Sequence, residues 1–180
     1  MARCAIDCVK AAKRVKRSGR LPGSLEPEET AGVDYWVADG HLIRQHCPKL
    51  SDLYISRELK EHLRKLTGLE LTMVPDMASC MNVNVLPAGH RYEKHVDDWG
   101  ITMVVPLTQC GGGRLLFEGA PVEHLDPVPG KGLIFNGTLY PHEVELVTSG
   151  VRLSLIFEFL VEGAPVERSE GLSEALYGLD

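Results

Sequence analysis

The stretch CMNVNVLPAGHRYEKHVDDWGITMVVPL, residues 80–107, holds three short apolar-rich runs parted by the turn formers around Gly89 and Gly100. Each run has the length of a strand. In the first, Asn82 and Asn84 alternate with Met81, Val83 and Val85, the period-two pattern of an extended segment with two unlike faces. The same rhythm continues on both sides. LELTMV (69–74) precedes the stretch, and GRLLFE (113–118), VEHLD (122–126), GLIFNG (132–137), HEVELV (142–147) and VRLSLIFEFL (151–160) follow it. Short strands at this even spacing, punctuated by Gly, Pro and Asp, predict an all-β sandwich or barrel over 69–161.

The first third of the chain reads differently. Residues 3–18 are compatible with a helix that ends before the turn signal LPGS at 21–24. VDYWVADGHLIRQ (33–45) suggests two extended pieces joined at an Asp39-Gly40 turn. Ser51 can cap a helix running to about Thr67, with Ile55, Leu59, Leu63 and Leu66 at helical spacing and Gly68 as its stop. The expected architecture is a single domain, mainly β with N-terminal helices. Residues 1–68 are a helical support packed on one outer face, 69–161 the β core, and 162–180 an acidic tail in which SEALYGL can form a last short helix.

Composition narrows the function classes. The 180 residues carry a net charge of −6, so the bulk surface does not favour nucleic acid. No apolar run approaches a membrane span, and the N-terminus lacks the apolar core of a secretory signal. Five scattered cysteines (Cys4, Cys8, Cys47, Cys80 and Cys110) argue against a disulfide framework and for a reducing, cytoplasmic setting. Cys4 and Cys8 lack a second Cys/His pair and read as plain thiols on a helix. The basic run over residues 1–20 reads as a solvated face or arm.

Within the β region a few residue types are out of place. His95 and Asp97 are two apart, so on a strand they share a face roughly 6–7 Å apart. Both can approach one metal ion, and a third ligand must come from elsewhere. His142, opening a late strand, is the best candidate. Two histidines and one carboxylate on one side of an ion form the facial triad of non-haem Fe(II) oxygenases, with open positions left over. An H-x-D pair on a strand is also compatible with a surface accident. Ten residues after His142, Arg152 and Ser154 share a face of a strongly apolar strand with Ile156 and Glu158. A guanidinium inside an apolar barrel is expensive unless it meets an anion, for which a carboxylate is the natural partner. The bland alternative is a solvated polar face.

The ordered set H-x-D, His142 and R-x-S resembles the signature of the Fe(II)/2-oxoglutarate-dependent oxygenases, closest to their prolyl-hydroxylase-like branch. The resemblance covers about residues 80–160. It includes the glycines at 111–113 ahead of an apolar strand and PVPGKGLIF (127–135) ahead of the second histidine. It implies a double-stranded β-helix fold (jelly-roll or cupin-like), with Fe(II), 2-oxoglutarate and O2 as cofactor and co-substrates. Carried over residue by residue, it makes His95, Asp97 and His142 the iron ligands. Arg152 becomes the partner of the far carboxylate of 2-oxoglutarate, with Ser154, Asn82 and Asn84 as helpers. Where relatives of that branch have a tyrosine, this chain has Leu86. Asp97 argues against halogenation, which needs a small residue there.

The implied activity is a dioxygenase that hydroxylates a small molecule, such as an amino acid or a biosynthetic intermediate, with release of succinate and carbon dioxide. The alternatives are a protein side-chain hydroxylase of the same mechanism, or a cupin-like metalloprotein that does not use 2-oxoglutarate and recruits another ligand such as His90. Candidate substrate-facing residues are Tyr92, Trp99, Met103 and Tyr140, with the segment around Tyr35 and Trp36. Tyr92 would face away from His95 on an unbroken strand.

Overall fold

The structure, a computed structural model, describes residues 2–21 and 23–165. Its elements in chain order are α1 (Ala2–Ala11), β1 (Lys13–Ser18), β2 (Gly32–Ala38), α2 (Gly40–His46), α3 (Pro48–Ile55) and α4 (Arg57–Thr67). There follow β3 (Leu71–Met73), β4 (Met81–Pro87), β5 (Tyr92–His95), β6 (Ile101–Pro106), β7 (Gly111–Gly112), β8 (Leu115–Phe117) and β9 (His124–Leu125). The last are β10 (Leu133–Asn136), β11 (His142–Val144), β12 (Val147–Ser149) and β13 (Val151–Val161).

A seven-stranded antiparallel sheet runs β1-β2-β4-β13-β6-β10, with β3 also paired to β13. Facing it is a four-stranded sheet ordered β5-β11-β8-β9, and β12 pairs with β7. The chain passes repeatedly between the two large sheets, from β4 to β5, back to β6, across to β8 and β9, back to β10, across to β11 and back to β13, as in a double-stranded β-helix. The tail expected to form a helix lies outside the described residues.

Alternation along the central strands sorts the side chains into two layers. On β13, Leu155, Phe157 and Phe159 point outward, where they join Met81, Val83 and Ile101 under Ile43, Leu50, Tyr54 and Leu63 of the helices. The helices therefore cover one outer face of the large sheet. Ile156 points inward, toward Leu86, Val104, Tyr92, Val144 and Leu115 of the space between the sheets. Register decides which inward residues are neighbours. Arg152 lies beside Leu86, Ser154 beside Asn84, Ile156 beside Asn82, and Glu158 beside Thr102.

Four local expectations are corrected. The basic run is not one helix over 3–18. Helix α1 stops at Ala11, and Lys13–Ser18 is an edge strand on β2. Val15 buries its side chain, while the Arg14 guanidinium lies on the Trp36 ring at 5.0 Å and pairs with Asp34. Lysines and arginines on an edge strand also discourage pairing with another chain. Asp39-Gly40 is not a turn between strands, because the Asp39 carboxylate accepts from the Leu42 amide at 2.9 Å and caps α2. The predicted 51–67 helix is two helices. Pro48 opens the first, and Ser56 adopts ψ 143° and caps the second through the Leu59 amide. Gly68 does end it, in the left-handed region at φ 72°. HEVELV is split into β11 and β12, because Val147–Ser149 turns away to pair with the glycines of β7. No described helix is long and apolar enough to cross a membrane.

Candidate metal centre

Strands β5 and β11 are antiparallel neighbours that place His95 directly opposite His142. Just past the end of β5 the chain turns, and the Asp97 amide donates to the Gly137 carbonyl at 3.0 Å. The result is a cluster. Asp97 Oδ1 lies 3.5 Å from His95 Nε2 and 3.4 Å from His142 Nε2. One ligand atom from each residue lies within 4.8 Å of the others, a set able to hold one metal ion. The three side chains are 20%, 13% and 5% exposed for His95, Asp97 and His142, so the cluster is no surface accident.

The surrounding hydrogen bonds orient each group. The Nδ1 atoms of His95 and His142 face the carbonyls of Glu93 (2.8 Å) and Tyr140 (2.9 Å). Each Nδ1 must therefore carry the proton, which leaves the Nε2 lone pair directed at the cluster. The Thr102 hydroxyl donates to Asp97 Oδ2 at 2.5 Å, so only Oδ1 faces the two imidazoles. A Cβ on Gly137 would run into both Asp97 and the Thr102 hydroxyl, so only glycine leaves room for this arrangement. Burial opposes ionisation of Asp97, but the charges and hydrogen bonds of His142 and His95 outweigh it and hold its carboxyl well below the usual range. Burial likewise works against protonated His142, and Asp97 more than reverses it.

The cluster opens into a cavity between the two sheets, lined by β4, β6 and β13 on one side and β5, β8 and β11 on the other. Arg152 reaches it from β13 and is 3% exposed. Its Nε donates to the Gly113 carbonyl at 2.8 Å, and no described carboxylate pairs with it. Burial lowers its pKa to about 10, with Cys110 acting weakly the other way. Next to it, Ser154 Oγ and Asn84 Oδ1 are buried without a hydrogen-bond partner among the described residues. A cation with no anion among the described residues and an unpartnered hydroxyl two residues on along the same face of β13 are what a bound carboxylate would satisfy, with the guanidinium and the Ser154 hydroxyl as donors.

The remaining sequence candidates sort by strand face. Asn82, Tyr92 and Trp99 line the cavity. Tyr92 does so against the simple period. Three residues of β11 (142 to 144) oppose four of β5 (95 to 92), so β5 carries a bulge that turns Tyr92 to the same side as His95. Their rings are 4.8 Å apart. Met103 is corrected. It lies opposite Phe157 on the sheet and packs into the helix-side core. Tyr140 is corrected too, since its contribution is the backbone carbonyl that orients His142, and its ring is not part of the cavity lining. Tyr35 lines the cavity, while Trp36, the next residue on β2, faces away. His90 packs edge-on against Trp36, with ring centroids 5.5 Å apart, and is not part of the metal cluster.

Thr102, Gly113, Gly137 and Glu158 were not singled out in the sequence for the roles they occupy. Glu158 had a signal, sharing the face of Arg152 and Ser154. The others act through a hydroxyl, a carbonyl and an absent side chain, which leave no pattern in one sequence.

No protein-family model matches the sequence, and neither does any curated protein. Solved structures do. An oxidoreductase of the 2OG-Fe(II) oxygenase family from Burkholderia pseudomallei superposes with a TM-score of 0.68 at 16% identity, over 91% of this chain and 81% of that one. The fold is that of the 2-oxoglutarate Fe(II) oxygenases. A prolyl hydroxylase from Trichoplax adhaerens, in complex with a hypoxia inducible factor peptide fragment, gives 0.58 at 18% identity, over 89% and 76%. A prolyl 4-hydroxylase from Phytophthora capsici gives 0.53 at 20%, over 71% and 48%. The double-stranded β-helix fold is thus as expected, and two of these three neighbours are prolyl hydroxylases. At these identities the likeness speaks for the fold, and the chemistry must be read from the residues.

Proposed function

We propose that this protein is an Fe(II)/2-oxoglutarate-dependent dioxygenase that hydroxylates a small molecule. The observation that carries the reading is the convergence, in one cavity, of the His95–Asp97–His142 cluster with a buried Arg152 that has no carboxylate partner among the described residues. Two neutral imidazoles and one carboxylate suit Fe(II) and leave positions open. Fe(II) held there would supply the oxidative decarboxylation of 2-oxoglutarate by O2, coupled to hydroxylation of a C–H bond.

The chain's own residues do the positioning. His95 and His142 present Nε2 because the Glu93 and Tyr140 carbonyls hold their Nδ1 protons. Thr102 limits Asp97 to one free oxygen. Arg152, steadied by Gly113, receives the far carboxylate of the co-substrate, and Ser154 and Asn84 stand beside it. Leu86, Tyr35 and Tyr92 wall the cavity against water. The segment ahead of β2 narrows the entrance. Leu21 lines the cavity, and Gly23 and Leu25 hydrogen-bond to the backbone of Val96 and Lys94. That confinement supports a small substrate over a peptide. A peptide substrate is the second reading, favoured by the peptide bound to the Trichoplax neighbour.

The test is anaerobic. Fe(II) and then 2-oxoglutarate are added to the protein, and the weak visible band of the chelate is followed in the wild type, Arg152→Ala and His142→Ala. A band that fades in both variants is expected. Bound iron with no band would remove 2-oxoglutarate from the account and leave a cupin-like metalloprotein. Succinate release with candidate small molecules and peptides then separates the two substrate readings.

A further inference from the structure

The cavity carries a buried ionisable side chain, Glu158, that the reaction proposed above does not use; Glu93, the other buried glutamate of the lining, already accepts from the Gly32 amide. Glu158 lies six residues along β13 from Arg152, so the two mark ends of the cavity about 20 Å apart along the strand. It is 8% exposed. Its backbone is fixed on both sides, the amide donating to the Cys80 carbonyl at 3.0 Å and the carbonyl accepting from the Tyr54 hydroxyl at 2.8 Å. Its carboxylate has neither a hydrogen bond nor an ion pair with any described residue. Thr102, its cross-strand neighbour, is the residue that ties Asp97. Glu158 therefore stands one strand away from the candidate metal centre.

The surroundings make the group more conspicuous. Burial is the main influence that pushes its pKa well above the ordinary range, and the charges that add to it are Asp97, Asp98 and Asp76, all negative. A bound divalent ion would offset Asp97 but not the other two. The cationic side chain of the cavity, Arg152, is at the far end. An unpaired carboxyl among carboxylates is costly to keep inside a protein, and a positive charge entering this end would relieve it.

We infer that Glu158 is a specificity-determining residue, and that the substrate carries a cationic nitrogen, an ammonium or guanidinium group, which pairs with the Glu158 carboxylate beside the metal centre. The inference rests on the dioxygenase reading for the word substrate; the cation site itself does not depend on it. Arg152 takes the anion of the co-substrate, Glu158 the cation of the substrate, and the two molecules are sorted to opposite ends by charge.

Calorimetric titration tests this with defined probes. Cadaverine and agmatine are compared with the neutral 1,5-pentanediol. A blocked Gly-Lys-Gly peptide is compared with its norleucine analogue, which separates free amines from side chains in a peptide. Each is titrated into metal-free protein and, under argon, into protein loaded with Fe(II) and 2-oxoglutarate. A cation is expected to bind about 30-fold or more tightly than its neutral counterpart. Glu158→Gln should abolish that preference, and Glu158→Asp, which keeps the charge, should retain most of it. Melting curves confirm that both variants are folded, and should Gln not fold, retention in Asp against loss in Glu158→Met decides. Equal binding of cations and neutral counterparts, or a preference unchanged in Glu158→Gln, overturns the inference. A cation preference without Fe(II)/2-oxoglutarate binding sinks the dioxygenase reading alone. Intact cofactor binding without the preference sinks only the role of Glu158.

Discussion

Replacing Arg152 by methionine should make the empty protein more stable and the co-substrate weaker at the same time. The magnitudes follow from the environment of the guanidinium. Its pKa falls from 12.5 to about 10 on burial, which corresponds to about 3 kcal/mol of disfavoured charge. Methionine fills much of the same space without that charge. Against this, the Gly113 carbonyl loses its donor, at a cost of about 1–2 kcal/mol. The net expectation is a gain of about 1–2 kcal/mol, or a rise in melting temperature of roughly 2–8 °C for a chain of this size. 2-Oxoglutarate should lose two charge-assisted hydrogen bonds, about 3 kcal/mol or more, hence a hundredfold or greater loss of affinity. Thermal melts of metal-free protein give the first quantity. Anaerobic calorimetry of 2-oxoglutarate into the Fe(II)-loaded protein gives the second. A variant that is destabilised while its 2-oxoglutarate affinity stays within about threefold of wild type would refute the reasoning, and Arg152 would be a structural strut.

Three further outcomes are expected. Thr102→Val keeps the shape but frees Asp97 Oδ2, so Fe(II) affinity should fall about 10- to 100-fold while the melting temperature stays close to wild type; unchanged metal affinity by competition titration would deny Thr102 a positioning role. Gly137→Ala puts a methyl group against Asp97 and Thr102, and should cost Fe(II) affinity more than Thr102→Val does. Glu158→Gln should stabilise the metal-free protein increasingly as pH rises. The folded-state pKa of Glu158 lies above the ordinary glutamate value of 4.5, so the wild type binds this proton more tightly when folded and loses that stability as pH climbs from 4.5 through the folded pKa. The variant has no such loss. A difference in melting temperature between variant and wild type that is the same at about pH 5 and about pH 8 would count against it.

The strands after Gly68 and the order of the candidate ligands were legible in the sequence because both depend on local pattern. Alternation of period two places Arg152, Ser154 and Glu158 on one face of β13, and the H-x-D spacing needs nothing beyond an extended backbone. The misreadings cluster where a local pattern served two structures equally well. KRVKRS has no periodicity strong enough to separate the end of a helix from an edge strand, and pairing with β2 decided it. Asp39-Gly40 suits a hairpin turn as well as a helix cap, and the Leu42 amide decided it.

By itself, then, the sequence determined which residues carry unusual chemistry and on which faces of their own strands they lie, because side-chain direction along a strand follows from covalent geometry. The tertiary structure alone decided which faces look at one another. Only the pairing of β5 with β11 brings His95 to His142, and only the bulge in that pairing turns Tyr92 inward. Closure of the two sheets makes the polar face of β13 an interior rather than a solvated surface. That single fact turns Arg152 and Glu158 from ordinary surface groups into buried ones with no charged partner among the described residues, since the charge that water would solvate must inside a protein be answered by a ligand.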